Sequence, residues 1–136
     1  MTVPTALPPG PSVAVAARIT VASLVALALL EFLWGAVLAP LPGARWLALK
    51  ALPLALLAPG VARGGRRPRQ WLALLAPLYF AEALVRALTE AGRHGAVAAM
   101  ATALAAITFV GVLAWFRAEK RRTFTGDAEA PRTSSN

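Results

Sequence analysis

"GAVAAMATALAAITFVGVLAWF", residues 95–116, contains no charged residue in 22 positions. At about 1.5 Å of helical rise per residue, a stretch of this length crosses a hydrocarbon core of about 30 Å. The rest of the chain has the same character, since 58% of its 136 residues are hydrophobic and 15% are charged. A water-soluble domain has roughly 25% charged residues. The chain is therefore predicted to be an integral membrane protein.

Three further apolar segments precede this one, which predicts an all-α protein with four membrane spans. The predicted spans cover residues 13–38, 46–62, 71–88 and 96–116, within a single transmembrane domain at 13–122. Short connections make neighbouring helices antiparallel, so the expected fold is an up-down-up-down four-helix bundle. The segment at 46–62 is short and contains Lys50 and Pro53. A three-span alternative, in which this segment only dips into the membrane interface, therefore stays open.

Both ends of the chain are predicted to be disordered tails. Residues 1–12 contain four prolines and no charged side chain, and residues 123–136 are polar. A cleaved signal peptide is the competing interpretation of the start, but it requires an early basic residue and a small-residue cleavage site. The first basic residue is Arg18, and Glu31 and Phe32 follow where that site would lie. Cleavage is therefore not expected.

Basic residues are divided unequally between the two predicted faces of the bundle. An even number of spans places both termini and the loop at 61–70 on one face. Ten of the fourteen lysines and arginines lie there, namely Arg18, Arg63, Arg66, Arg67, Arg69, Arg117, Lys120, Arg121, Arg122 and Arg132. The loops of the opposite face contain Arg45 and Arg93. Because lysine and arginine favour the cytoplasmic side of a membrane, both termini are predicted to be cytoplasmic.

Two dense basic clusters border the predicted spans. One consists of Arg63, Arg66, Arg67 and Arg69, and the other of Arg117, Lys120, Arg121 and Arg122. Such clusters attract anionic lipid headgroups, which makes a bilayer with anionic lipids at its cytoplasmic face the predicted partner. The alternative is that they only set the orientation of the helices. The net charge of +8 would suggest nucleic acid for a soluble protein, but here the membrane explains it, and no nucleic-acid partner is expected.

Four charged residues interrupt the apolar spans: Glu31, Lys50, Glu82 and Arg86. Along their helices all four lie about 17–24 Å from the predicted cytoplasmic end. A charge at the centre of a membrane helix costs about 2.5–3.5 kcal/mol on insertion, so Glu82 is expected to pair with Arg86, one turn along, or with Lys50. Two interpretations remain open. The charges form either a neutral network that fixes helix register or a polar cavity for a small ligand or a proton.

The sequence contains no combination of residues that indicates catalysis. The absence of cysteine excludes disulfides, thiolate metal sites and cysteine nucleophiles, one histidine cannot form a metal site alone, and no cofactor is expected. No phosphate loop, serine triad or pair of catalytic carboxylates is found either. The first hypothesis is a non-enzymatic accessory or structural subunit that associates with a membrane-protein partner or with itself. The alternative is a small transporter or proton-coupled carrier that uses Glu31 and Glu82.

Several short motifs between Leu49 and Arg122 are similar to those of a known family. They are "LPLALLAPG" at 52–60, an arginine-glycine loop, "QW" at 70–71, "PLYF" at 77–80 followed by polar residues four apart, and "FVG" at 109–111 before a basic end. The chain thus resembles a family of small bacterial inner-membrane proteins, domain of unknown function 2069. Family members more often have His-Gly and then Glu after "YF", where this chain has Glu82-Ala83 and Arg86. The resemblance implies a four-helix inner-membrane protein and no particular activity.

Overall fold

The computed structural model describes residues 10–34 and 44–128, and the side chains of residues 10–34 and 49–123. These residues form four helices: α1 (Pro11–Leu33), α2 (Ala44–Ala62), α3 (Arg66–Thr89) and α4 (Arg93–Ala128). Within the described ranges there is no β-strand. The predicted all-α four-helix fold is confirmed. Most of both predicted tails, at 1–9 and 129–136, and the first predicted connection lie outside the described residues.

The turn between α2 and α3 depends on glycine. Gly64 has φ +75°, a left-handed conformation that side chains with a Cβ disfavour. Its N–H donates to the carbonyl of Val61 at 2.9 Å, which satisfies one of the last acceptors of α2. Pro68 already lies in the first turn of α3, where its missing N–H costs nothing. The predicted loop at 61–70 is therefore reduced to residues 63–65.

All four helices begin before their predicted spans, and α4 also ends well after its span. α1 begins at Pro11 rather than at residue 13, because proline at the first helical position is preset for a helix. α4 runs for 36 residues instead of ending at 116, so residues 123–128 are helical where a disordered tail was expected. The intervening segment at 117–122 consists of strong helix formers and contains no glycine or proline. At about 54 Å, α4 extends well beyond a hydrocarbon core of about 30 Å.

The four helices form a ring in which each packs against two neighbours, α1 against α2 and α4, and α3 against α2 and α4. Gly10, just before α1, lies against the guanidinium of Arg122 in α4, which together with the turn at 63–65 marks the basic end of the bundle. Trp34, just after α1, lies beside His94 near the start of α4 and marks the far end. Neighbouring helices are therefore antiparallel, and the up-down-up-down order is confirmed.

Three of the described helices are long and apolar enough to cross a membrane, at Pro11–Leu33, Arg66–Thr89 and Arg93–Thr123. The apolar part of α2 that is described, Leu49–Ala62, is shorter. This short apolar length agrees with the sequence, in which the second predicted span is short and contains Lys50 and Pro53. α2 nevertheless packs against both α1 and α3, so it completes the ring.

The exterior of the ring is apolar. Leu29, Leu74 and Leu88, on three different helices, are 62%, 70% and 79% exposed. In water such a surface would drive aggregation, whereas in a bilayer it contacts lipid chains that are equally apolar.

The interface between α1 and α4 contains small and polar residues. Thr108 Oγ1 lies 2.9 Å from Ser23 Oγ, and Ser23 donates in turn to the carbonyl of Thr20 at 3.1 Å. Gly111 sits directly against α1, because a Cβ at that position would lie 2.6 Å from Thr20 Oγ1. Small residues of this kind let two membrane helices approach closely and exchange hydrogen bonds.

Candidate functional site

A carboxylate and two cations from α2 and α3 meet towards the far end of the bundle. Glu82 Oε1 accepts a hydrogen bond from Lys50 Nζ and lies 2.9 Å from Arg86 Nη2. Lys50 reaches across from α2, whereas Arg86 lies one turn further along α3. The sequence left the choice between these two cations open, and the structure brings both to the same oxygen. Glu82 therefore links two helices: it accepts a charge-assisted hydrogen bond from Lys50, which is the stronger kind, and forms an ion pair with Arg86.

Tyr79 provides a second link between the same two helices. Its hydroxyl donates a hydrogen bond to the backbone carbonyl of Lys50, and its side chain is buried. Tyr79 lies three residues before Glu82, so the two contacts are neighbours on α3. Together they fix the position of Lys50 relative to α3, both through its backbone and through its ammonium group.

Arg86 extends the cluster to α1 and α4. Its guanidinium carbon lies 5.4 Å from the centre of the Trp34 ring, in the range of a cation–π interaction. The Trp34 ring is in turn 6.2 Å from that of His94, with the two planes tilted by 40°. An arginine inside a membrane helix thus contacts a carboxylate and an aromatic face.

Glu31 is the one charged residue of the predicted network that is not directly paired. It lies on α1, is partly buried, and is within electrostatic range of Glu82, Arg86 and Lys50. Among the residues whose side chains are described, it makes no hydrogen bond and no ion pair. The four residues Glu31, Lys50, Glu82 and Arg86, called the charge cluster below, carry two negative and two positive charges.

The chemistry available at the charge cluster is that of a neutral ionic network. Glu82 binds two cations, Tyr79 is engaged with a carbonyl, and only Glu31 has an open carboxylate within the described part of the site. The same part of the chain contains no group of three or more histidine, cysteine, aspartate or glutamate residues placed to bind a metal ion. The geometry suits the linking of helices, and Glu31 provides one group that could accept a proton.

The structure shows that Arg69 does not belong to the exposed surface of the predicted basic clusters. Seven of the eight residues assigned to them are exposed at the basic end: Arg63, Arg66, Arg67, Arg117, Lys120, Arg121 and Arg122. Arg69 is only 4% exposed. It donates to the carbonyls of Gly65 at 3.2 Å and Gly64 at 3.3 Å, and to Glu119 Oε1 at 2.7 Å. Its guanidinium also lies 4.4 Å from the centre of the Trp115 ring. Arg69 therefore joins α3 and α4 to the turn before α3 and is not part of the exposed surface.

The spacing of the residues that the structure buries along α3 shows why Arg69 lies inside the bundle. The buried positions are Arg69, Leu72, Ala76, Tyr79 and Ala83, three or four residues apart. This is the spacing of a single helix face, and Arg69 is its first member. The sequence interpretation assigned Arg69 by its loop and its charge, and so overlooked its place on the face that points into the bundle.

The chain is similar to one known family over most of its length. Residues 17–120 match the family described as "Predicted membrane protein (DUF2069)". The chain belongs to this family. No curated protein and no solved structure matches the chain.

The matched range of this DUF2069 protein includes both arrangements described above. The charge cluster lies between residues 31 and 86, and Arg69 and Glu119 also fall inside 17–120. The resemblance seen in the sequence is therefore confirmed, as is the assignment of the chain to the membrane proteins.

Proposed function

We propose that this DUF2069 protein is a non-enzymatic accessory or structural subunit of the bacterial inner (cytoplasmic) membrane. The observation that carries the proposal is the double pairing of Glu82 with Lys50 and Arg86. A charged residue inside a membrane is costly unless it is paired, and it usually marks a pathway or a site. Here the charges compensate one another within the bundle, as expected of a network that holds helices in register.

A proton-coupled carrier is the second candidate, because Glu31 has an open carboxylate beside the charge cluster. The experiment that separates the two uses purified protein in sealed liposomes with an imposed pH gradient. For a structural subunit, we expect the gradient to decay no faster than in protein-free liposomes, and Glu31→Gln to change nothing. If the protein accelerates the decay and Glu31→Gln removes that acceleration, the carrier is the correct assignment.

The subunit proposal also predicts association. Purification of the intact chain in a mild detergent is expected to recover either a second membrane protein in fixed ratio or a homo-oligomer. A strongly dissociating detergent should release the chain as a monomer. A monomer without partners in mild detergent, together with proton transport in liposomes, would contradict the proposal.

The proposed orientation places both termini and the basic end in the cytoplasm, since, among the side chains that the structure describes, the exposed arginines of that end far outnumber those of the opposite end. The chain contains no cysteine, so single cysteines report topology cleanly. Position 65 is a poor choice, because a Cβ on Gly65 would lie 2.9 Å from the Gly60 carbonyl oxygen. Arg67→Cys and Ala91→Cys replace exposed residues at opposite ends of α3.

In intact cells, an impermeant maleimide is expected to label Ala91→Cys and to leave Arg67→Cys unlabelled. Arg67→Cys should become reactive once the membrane is permeabilised. The reverse pattern would show that the termini lie on the outer side.

A further inference from the structure

An open apolar groove of about 770 Å³ runs between α1 and α4 next to the basic end. Val15 and Ile19 line its α1 wall, and Ile107, Val110 and Gly111 line its α4 wall. The lining extends over nine residues of each helix, or about 12 Å along the bundle axis from the first to the last. The volume lies within the range of about 300–1,000 Å³ that is usual for small-molecule sites.

The α4 wall of the groove continues into two arginines. Ile107, Val110 and Ala114 line the groove, and Arg117 and Arg121 follow with the same alternation of three and four residues. Residues with this spacing share one face of a helix. Arg117 and Arg121 are both exposed, about 5 Å and 10 Å beyond Ala114. The groove therefore has an apolar body and a cationic mouth on a single continuous surface.

The other side of the mouth is the start of α1. Pro11 and Ser12 line the groove, and Gly10 lies against the guanidinium of Arg122. α1 thus begins at the level where the basic part of α4 begins. At this level a membrane changes from acyl chains to headgroups, if the basic end lies at the interface.

From this geometry we infer that the groove binds one anionic phospholipid, with an acyl chain along α1 and α4 and the phosphate at Arg117 and Arg121. Arginine suits this role because its planar guanidinium forms paired hydrogen bonds with phosphate oxygens. A second copy of the chain fits less well. A two-fold contact in a membrane would bring the same arginines of both copies together, and like charges repel.

The test measures phosphatidylglycerol binding to the full-length protein in detergent by native mass spectrometry. Each basic residue beside an anionic lipid strengthens attraction by roughly fivefold, so Arg117→Gln with Arg121→Gln is expected to weaken binding by roughly 25-fold. The matched control is Arg66→Gln with Arg67→Gln, which removes the same charge from exposed residues at the same end. Because Arg66 and Arg67 belong to the other basic cluster, that control should weaken binding only through the general charge of the basic end, by no more than about fivefold. Equal losses in the two pairs, or no loss in either, would overturn the proposal.

A second variant tests the groove with both arginines intact. Val110 is 63% exposed, so Val110→Trp fills the groove without entering the core, and we expect it to weaken phosphatidylglycerol binding at least fivefold. Leu56→Trp, at an exposed position of α2, is the control and should bind normally. Phosphatidylcholine is expected to bind at least tenfold more weakly, and glycerol phosphate not to compete. Equal binding of phosphatidylcholine, competition by glycerol phosphate, or a change in oligomeric state of Val110→Trp with unchanged lipid binding would each contradict the site.

Discussion

Replacement of Arg69 by alanine is expected to lower the free energy of unfolding by about 3 kcal/mol. Arg69 is buried, and its guanidinium contacts the carbonyls of Gly64 and Gly65, the carboxylate of Glu119 and the face of Trp115. Alanine leaves the Gly64 carbonyl and the Glu119 carboxylate without the arginine donor and opens a cavity beside the ring, whereas the Gly65 carbonyl keeps the backbone N–H of residue 69. Thermal or denaturant unfolding of the purified protein in detergent measures the loss.

Two further variants serve as controls for this prediction. Arg67→Ala removes an exposed arginine two residues earlier and should change stability by less than about 0.5 kcal/mol. Arg69→Lys keeps the charge but lacks the planar fork of donors, so it should recover only part of the stability. If Arg69→Ala were as mild as Arg67→Ala, the contacts of Arg69 would not contribute to stability.

Glu82→Gln is expected to cost about 2–3 kcal/mol in the same measurement. The change removes the negative charge that Lys50 and Arg86 share and leaves two cations facing each other in an apolar environment. Adding Lys50→Gln or Arg86→Gln to Glu82→Gln should therefore restore part of the loss. Breaking a pair by removing one partner costs more than removing both.

The measurement is a double-mutant cycle for each cation, because only the departure from additivity reports the interaction. Glu90→Gln, at an exposed residue that follows α3, is the matched control and should be nearly neutral. Additive effects in both cycles would show that neither cation stabilises Glu82. The carrier assignment would then gain, since Glu82 would be open to a proton or to water.

Individual residues show which features the sequence predicts and which depend on how the helices pack. The four members of the charge cluster were placed in one band because depth along a helix follows from counting residues. The choice between Lys50 and Arg86 as the partner of Glu82 depended on how α2 is rotated and packed against α3, which counting does not reveal. Arg69 was misassigned for the same reason, since its neighbours in sequence are exposed arginines.

The sequence by itself determined the class of protein, the number of helices and the antiparallel order. These follow from the lengths of the apolar segments and of their connections, both of which are local properties of the chain. The tertiary structure alone decided which residues meet: Lys50 with Glu82, Arg69 with Glu119, and Ser23 with Thr108. The physical reason is that these helices are apolar on nearly every face. A helix in lipid has no polar side to orient it, so its rotation is set by close packing and by a few polar contacts with its neighbours.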